Sequence, residues 1–279
     1  MLVAKNNTEL FNALAAARLH GNTIGFIPTM GALHQGHLSL IAESQKTCNI
    51  TVCSIFVNPT QFNDKQDLEK YPRTADADLK LLSAANCYVV YLPSVDDIYP
   101  ADWICPEFNF ENLDKVMEGA HRPGHFKGMS QVVHRLLWLV QPNKIFMGQK
   151  DFQQQTIVKK MLEILKWKTE LVCCPIIREA DGLAMSSRNV RLNKEERQQA
   201  LAISQVLFQL KKERFSSPNI FCKWAISELE KQSLIKVEYV EIVDTTTLQP
   251  AKNWNDAKNL VACIDAKVGK VRLIDNVLM

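Results

Sequence analysis

Two histidines three residues apart, in a turn with two glycines, are the residues of this sequence that most directly suggest chemistry. His34 and His37 lie in the segment PTMGALHQGH at 28–37, between an apolar run at 24–27 and a helix-like run at 38–41. Gly31 and Gly36 let the backbone approach a ligand closely. A helix N-terminus offers N–H groups and a positive dipole end to anions. The segment therefore predicts a phosphate-binding turn between a strand and a helix.

Two other interpretations of the histidine pair stay open at this point. Histidines at this spacing are often ordinary surface or core residues. They could also be zinc ligands, but no third and fourth ligand stands at structural-zinc spacing. The position at the first strand–helix junction favours phosphate binding, because open α/β sheets bind ligands beyond the carboxyl ends of their strands.

Two further polar segments follow or precede predicted elements. In SIFVNPTQF at 54–62, Asn58 and Gln61 stand at the carboxyl end of a strand-like run. An amide there suits a ligand with carboxylate and hydroxyl groups, although Asn-Pro also commonly starts a turn. The cationic loop HRPGHFKG at 121–128 contains Arg122 and precedes a helical pattern. For that loop the alternatives are a solvated surface or an ion-pair partner for Arg122.

The segment FMGQKDFQQ at 146–154 again joins a strand-like run to a helix start through glycine. Lys150 offers a compact positive charge to phosphate oxygens. Asp151 could cap the helix, accept from a ribose hydroxyl or help to hold Mg²⁺. Gln154 lies one helical turn beyond Asp151, on the same face.

The segment DGLAMSSRN at 181–189 places two hydroxyls and an arginine beside a glycine. It is a candidate phosphate grip, and an ordinary interdomain turn is the alternative. The sequence contains no GxGxxG fingerprint, no Walker A lysine motif and no nucleophile elbow. The His-x-Gly-His machinery therefore predicts nucleotidyl transfer, in which an oxyanion attacks the α-phosphate of ATP and pyrophosphate leaves.

The elements that must position these residues alternate along the first part of the chain. Short, nearly continuous apolar runs predict strands buried on both faces, at 23–27, 50–57, 88–92, 144–147 and 171–177. Helical patterns lie between them, such as the stripe from Met129 to Val140. We therefore predict an α/β fold with a doubly wound, Rossmann-like parallel sheet. After a long helix capped by Asn193, strand-like runs at 237–243, 259–266 and 271–275, with a hairpin at Gly269 and Lys270, predict a smaller α+β domain. The predicted boundaries are 1–177 and 178–279.

Composition bounds the class of protein. Against 33 basic residues stand 30 acidic ones, which is too balanced to indicate nucleic-acid binding. The longest apolar runs are too short to span a bilayer, and we expect no signal peptide. The eight cysteines form no CxxC pair, so we interpret them as buried thiols of a cytoplasmic protein.

Taken together, the motifs resemble the pantoate–β-alanine ligase (pantothenate synthetase) family. The matching segments are PTMGALHQGH, SIFVNPTQF, RPGHFKGM, QPNKIFMGQKDFQQ and DGLAMSSRN, in the family's order and spacing. The resemblance spans essentially the whole chain and is densest from 24 to 190. Gln149 stands where many members have glutamate. The resemblance implies two steps: pantoate and ATP give pantoyl adenylate and pyrophosphate, and β-alanine then releases AMP and pantothenate.

The family also implies residue roles and assembly. The catalytic group carried over is His37, the family's proton donor, with His34, Lys150, Ser186, Ser187 and Arg188. ATP would be bound by these six and by Met30, Gly31, Gly36, Gly148, Gln149, Asp151, Ile177 and Met185, the last two near adenine. Pantoate would be bound by Gln61 and Gln154, with Gln61 also near β-alanine. Asp151 would be the Mg²⁺ ligand. The family pattern is a homodimer whose subunits have a C-terminal lid domain.

Three competing interpretations remain. Another ATP-dependent adenylyltransferase would keep the fold, but the amides of Gln61 and Gln154 suit a small hydroxy acid better than a phosphorylated acceptor. A non-catalytic nucleotide-binding protein would have less reason to keep His34, His37 and Lys150 together. A nicotinamide-dependent oxidoreductase lacks its glycine fingerprint here.

Overall fold

The computed structural model describes residues 1–62, 65–213 and 215–279. The chain divides into two compact units. The first comprises Met1–Phe110, Pro123–Gly148 and Ile157–Pro175, and the second comprises Glu111–Arg122, Gln149–Thr156 and Ile176–Met279.

The first unit contains a six-stranded sheet in which every pair of neighbouring strands is parallel. Its strands are β1 Leu2–Ala4, β2 Ile24–Thr29, β3 Ile50–Ile55, β4 Val89–Tyr91, β5 Lys144–Gly148 and β6 Glu170–Cys174. The spatial order is β1-β4-β3-β2-β5-β6. The chain proceeds outward from β2 in one direction and from β5 in the other, so the switch point lies between them. Open α/β sheets bind ligands at this point, beyond the carboxyl ends of the strands.

Eight helices precede the C-terminal region in the described residues. They are α1 Asn7–Leu19, α2 Gln35–Thr47, α3 Lys65–Glu69, α4 Ala75–Ala84, α5 Val95–Ile98, α6 Glu118–His121, α7 His125–Val140 and α8 Phe152–Leu165. Ile41 of α2 and Leu82 of α4 pack in one core with Ile27, Cys53 and Val90. These last three are register partners on β2, β3 and β4, which places them in a row across one face of the sheet.

The C-terminal part of the second unit is a three-stranded antiparallel sheet with two helices. The strands are β7 Ile235–Asp244, β8 Leu260–Val268 and β9 Val271–Leu278, and the helices are α9 Lys194–Lys212 and α10 Pro218–Glu230. Asn193 caps α9, as predicted, by accepting from the backbone N–H groups of Glu195 and Glu196, both at 2.9 Å. The predicted hairpin is also present, with Gly269 at φ +56° between β8 and β9. The predicted fold class is confirmed.

Two details of the sequence interpretation are wrong, and strand β1 was not predicted. Strand β6 ends at Cys174 rather than at 177, because Pro175 follows and has no N–H for the ladder. The interpretation of all eight cysteines as buried holds for five free thiols, whereas Cys173 is exposed and Cys105 and Cys222 are half-buried. Within the described residues, none of the helices combines the length and the apolarity that crossing a bilayer requires.

Candidate active site

His34 and His37, both in the first unit, cap the N-terminus of α2. His34 is the N-cap of α2, and its Nδ1 atom accepts from the backbone N–H of Gly36 at 3.1 Å. The Nδ1 atom of His37 accepts from the backbone N–H of His34 at 3.3 Å. The ring centroids lie 4.1 Å apart. Because both Nδ1 atoms act as acceptors, the hydrogen of each neutral ring is on Nε2. The cap thus selects the tautomer that presents Nε2–H donors at a helix N-terminus.

A buried carboxylate holds the turn in front of these histidines. Asp78 of α4 is 1% exposed. Its Oδ2 atom accepts from the N–H of Ala32 at 2.9 Å, and its Oδ1 atom accepts from the N–H of Leu33 at 2.8 Å. The turn needs this support because Gly31 and Ala32 have φ values of +83° and +50°, in the left-handed region. A Cβ at Gly31 would also stand 3.0 Å from the Asp78 carboxylate.

The side-chain amide of Gln61 has a defined orientation. Its Oε1 atom accepts from Asn58 Nδ2 at 3.1 Å, which identifies Nε2 as its donating end. That Nε2 atom lies 3.3 Å from the sulfur of Met30, a weak acceptor. A carboxylate or hydroxyl oxygen would be a stronger partner for it. The structure therefore brings Met30 and Gln61 together.

Asn58 is itself held by groups from two other segments. Its Oδ1 atom accepts from the Tyr99 hydroxyl at 2.8 Å, and its Nδ2 atom donates to the carbonyl of Gly128 at 3.1 Å. Burial raises the pKa of the Tyr99 phenol, which keeps it protonated as a donor. Gly128 allows this approach, because a Cβ there would lie 2.3 Å from the carbonyl oxygen of Thr60. His125 Nδ1 also lies 2.8 Å from the backbone carbonyl oxygen of Gln61.

In the second unit, Lys150 and Asp151 belong to a short 3-10 helix, Gln149–Asp151, that directly follows Gly148, the last residue of β5. Lys150 Nζ lies 3.2 Å from Asp151 Oδ1. The Lys150 side chain is 19% exposed and that of Asp151 is 46% exposed. Gln154 follows in the first turn of α8 and is half-buried.

A tight hairpin forms the next part of this unit. The Met185 N–H donates to the Ile177 carbonyl at 3.0 Å, and Arg178 bridges Ala184 in antiparallel register. Ile177 and Met185, both predicted to lie near adenine, are therefore direct cross-strand neighbours. The hairpin leads into Ser186, whose hydroxyl oxygen accepts from the Arg188 N–H at 3.2 Å and caps the 3-10 helix Ser187–Arg191.

Ionic contacts hold the hairpin in this conformation. Arg197 of α9 donates to Glu179 at 2.8 and 3.1 Å and to Asp181, and Asn189 donates to Glu179 at 2.7 Å. The hydrogen bond from Arg197 holds the pKa of the Glu179 carboxyl below its usual value, with burial opposing it and Asn189 adding to it. The serines and Arg188 are thus attached to a well-anchored turn.

Arg122 has the ion-pair role that was one of the two alternatives for its loop. It lies 3.4 Å from Glu118, which also accepts two hydrogen bonds from Arg272 at 2.7 and 2.8 Å. Burial lowers the pKa of the Arg122 guanidinium, Glu118 opposes this, and the nearby cations Arg272 and Arg188 lower it further. Arg122 is therefore within electrostatic range of Arg188.

Comparisons with known proteins identify the family of this chain. The family model for pantoate–β-alanine ligase matches residues 2–278. The chain belongs to the pantoate–β-alanine ligase family. Pantothenate synthetase from Porphyromonas gingivalis strain W83 is 48% identical over 273 residues, covering 96% of each chain. The Bacteroides thetaiotaomicron enzyme is 47% identical over 280 residues, covering 99% of this chain and 98% of its own.

Solved structures of pantoate–β-alanine ligases have the same fold. Pantothenate synthetase from Thermus thermophilus superposes with a TM-score of 0.91 at 34% identity, with 99% of both chains covered. The ligase from Francisella tularensis, complexed with β-γ ATP and β-alanine, gives 0.83 at 33% identity, covering 100% of this chain and 97% of its own. The protein is therefore an enzyme of the ligase class.

Sequence reasoning missed one group that shapes the site of this ligase. Asp78 lies in a helical pattern in which Leu82, one turn later, is buried. An acidic residue on the buried face of a helix is a signal that could have been noticed, because such a group needs polar partners. The assignment of individual residues to ATP, pantoate and β-alanine stays a prediction.

Proposed function

We propose that this ligase activates pantoate as an adenylate before it joins pantoate to β-alanine. A carboxylate oxygen of pantoate attacks the α-phosphorus of ATP, the bond to the β-phosphate oxygen breaks, and pyrophosphate leaves. The β-alanine nitrogen then attacks the acyl carbon, and AMP leaves as pantothenate forms. The observation that carries the proposal is the helix cap of His34 and His37, which directs Nε2–H donors to a helix N-terminus beside the switch point.

In the first unit, we assign phosphate binding to the turn that carries His34 and His37, and pantoate binding to the side-chain amide of Gln61. The Nε2–H groups of His34 and His37 donate hydrogen bonds to phosphate oxygens, and the bond from His37 stabilises the charge that develops on the departing pyrophosphate. The backbone around Met30, Gly31 and Gly36 approaches the nucleotide. Gln61 Nε2–H donates to pantoate, because its carbonyl end is already engaged by Asn58. The same amide lies near β-alanine in this proposal.

In the second unit, we assign the remaining contacts to ATP and pantoate. Lys150, Ser186, Ser187 and Arg188 bind phosphate oxygens with charge and hydroxyl donors. Gly148, Gln149 and Asp151 contact the nucleotide, and Gln154 contacts pantoate. Ile177 and Met185, paired across the hairpin, provide an apolar contact for adenine. This assignment is supported by the placement of these groups on two turns of the same unit, at 149–154, directly after Gly148, and at 177–191.

Mg²⁺ is part of the proposal, and the residues present fit it. No cluster of three His, Cys, Asp or Glu side chains that could hold a metal occurs in the described ranges. Mg²⁺ suits such a protein, because it usually binds through one or two carboxylates together with substrate phosphates. Asp151, with its half-exposed carboxylate, would be the protein ligand. The bound ion would neutralise phosphate charge.

Three further statements remain predictions. They are the cytoplasmic location, the homodimer, and the division at 177/178 into a nucleotide- and pantoate-binding domain and a lid domain. The first rests on cysteine usage and the other two on the family resemblance and the change in sequence pattern.

The products of the reaction test the proposed function. Incubated with ATP, Mg²⁺ and pantoate, the protein is expected to release pyrophosphate without β-alanine, because the adenylate forms first. Adding β-alanine should yield AMP and pantothenate in equal amounts. Chromatography of the nucleotides and a coupled pyrophosphate assay measure both, and a reaction without pantoate is the control. ADP and orthophosphate as stoichiometric products would contradict the mechanism.

The two glutamines are expected to matter for pantoate more than for ATP. In Gln61→Ala and Gln154→Ala, pantoate loses a polar partner, at a cost of about 1–3 kcal/mol. This corresponds to roughly a 5- to 150-fold weaker affinity. Titration calorimetry with pantoate and with an ATP analogue separates the two ligands. Gln198→Ala, at an exposed position of α9, is the control. Unchanged pantoate affinity with weakened ATP affinity would reassign both glutamines to the nucleotide.

A further inference from the structure

Two neighbouring polar residues of β9 are almost completely buried and contact two different turns of the second unit. Asp275 is 2% exposed and Asn276 is 3% exposed. Burying a charge and an amide is costly unless each is hydrogen-bonded. Successive side chains of a strand point to opposite sides, so adjacent residues can bind two separate segments. Their partners are the turn that carries Lys150 and the hairpin that leads to Ser186.

Asn276 binds the Lys150 turn through three hydrogen bonds. Its Nδ2 atom donates to the backbone carbonyls of Gln149 at 2.9 Å and Lys150 at 3.0 Å. Its Oδ1 atom accepts from Gln149 Nε2 at 3.0 Å. Both donors and the acceptor of the amide are thereby used. A 3-10 helix of three residues has little stability of its own, so external bonds to its carbonyls define its conformation.

Asp275 binds the hairpin through Arg178. The two carboxylate oxygens accept from the guanidinium at 2.6 and 2.9 Å, a bidentate pair. Arg178 also donates to the Gly182 carbonyl at 3.1 Å, at the tip of the hairpin. The backbone N–H of Asn276 donates to Asp275 at 2.8 Å, which links the two contacts. Burial raises the pKa of the Asp275 carboxyl, whereas Arg178 and, more weakly, Lys150 lower it.

We propose that Asp275 and Asn276 are positioning residues that hold the Lys150 turn and the 177–185 hairpin in the arrangement that binds the phosphates of ATP. The inference rests on the proposed phosphate roles of Lys150 and Ser186–Arg188. Without Asn276, the carbonyls of residues 149 and 150 lose the donors that this side chain supplies, and the turn relaxes toward other conformations. The Lys150 ammonium then occupies the phosphate-binding position in a smaller fraction of the molecules. A displacement of about 1 Å can cost roughly 10²-fold in rate.

Substitutions at Asn276 test this role. Asn276→Ala is expected to weaken binding of a non-hydrolysable ATP analogue by about 10-fold or more, and to raise the KM for ATP accordingly. Asn276→Asp should be worse, because a carboxylate would face two carbonyl oxygens. The KM for β-alanine should stay at the wild-type value. Val277→Ala, the next residue and part of the apolar core of this unit, is the control for a loss of stability alone.

A double-mutant cycle with Lys150→Ala separates positioning from general destabilisation. If Asn276 acts through Lys150, Asn276→Ala adds little in the Lys150→Ala background, so the two effects are not additive. Should Asn276→Ala not fold, Gln149→Met removes one of the three hydrogen bonds at a half-buried position and should show the same coupling, with a smaller effect. Full additivity, or an effect on ATP affinity no larger than that of Val277→Ala, would overturn the proposal.

The wild-type reaction distinguishes this inference from the proposed function. Binding of the ATP analogue is measured without turnover, so the cycle can be completed whatever the products are. If the cycle shows the coupling but the wild-type protein forms no pantothenate, the proposed reaction is overturned and the positioning role stands.

Discussion

His37→Asn is expected to lower the rate of pyrophosphate release by about 10²–10³-fold, the usual effect of removing a donor that stabilises a transferring group. Asparagine can place Oδ1 where His37 Nδ1 accepts from the His34 N–H, so the helix cap is retained. The Nε2–H donor is lost. Pre-steady-state measurement of pyrophosphate in the presence of pantoate gives the rate.

Companion variants separate the cap from the chemistry at this position. His37→Ala should lose both the cap and the donor, and should also lower the free energy of unfolding by about 1 kcal/mol. His37→Gln, whose amide N–H reaches toward the Nε2 position, should recover part of the rate lost in His37→Asn. His20→Ala, at an exposed position, is the control. Wild-type turnover by His37→Asn would remove the phosphate role from this histidine.

Asp78→Ala is expected to affect both stability and activity. The backbone N–H groups of Ala32 and Leu33 lose their acceptor in a buried place, which should lower the free energy of unfolding by about 2–5 kcal/mol. Without that acceptor the left-handed turn relaxes and His34 moves, so adenylation should fall by about 10²-fold. Chemical denaturation and the pyrophosphate assay measure the two effects.

The control for this variant lies on the same helix. Asp76→Ala removes a carboxylate from an exposed position of α4 and should leave both stability and turnover close to wild type. Asp78→Asn keeps one acceptor and should lie between wild type and Asp78→Ala. If Asp78→Ala loses stability but keeps its adenylation rate, the carboxylate supports the fold and not the geometry of the histidine turn.

Local sequence patterns predict much of this fold. The buried strands are continuous apolar runs. The helix that carries the apolar stripe from Met129 ends at Val140, because Pro142 follows. Gly269 marks a hairpin because a two-residue turn needs a positive φ there. These features depend on residues within one or two turns of each other, which is why the fold class could be predicted. The motif order likewise predicted the ligase family.

The tertiary structure decided how each candidate residue is used, because the deciding partners are distant in sequence. Asp78 stands 45 residues after Leu33, and Asn276 stands 126 residues after Lys150. Such pairs leave no periodic signal along the chain. The three-residue edge strand β1 was missed for the same reason, since its pairing partner is β4. By itself the sequence determined which groups are available and in which order. Only the folded chain decided that Nδ1 of both histidines is used for capping, that Gln61 presents its N–H, and that Asn276 holds the Lys150 turn, because hydrogen bonding between distant segments requires the completed packing.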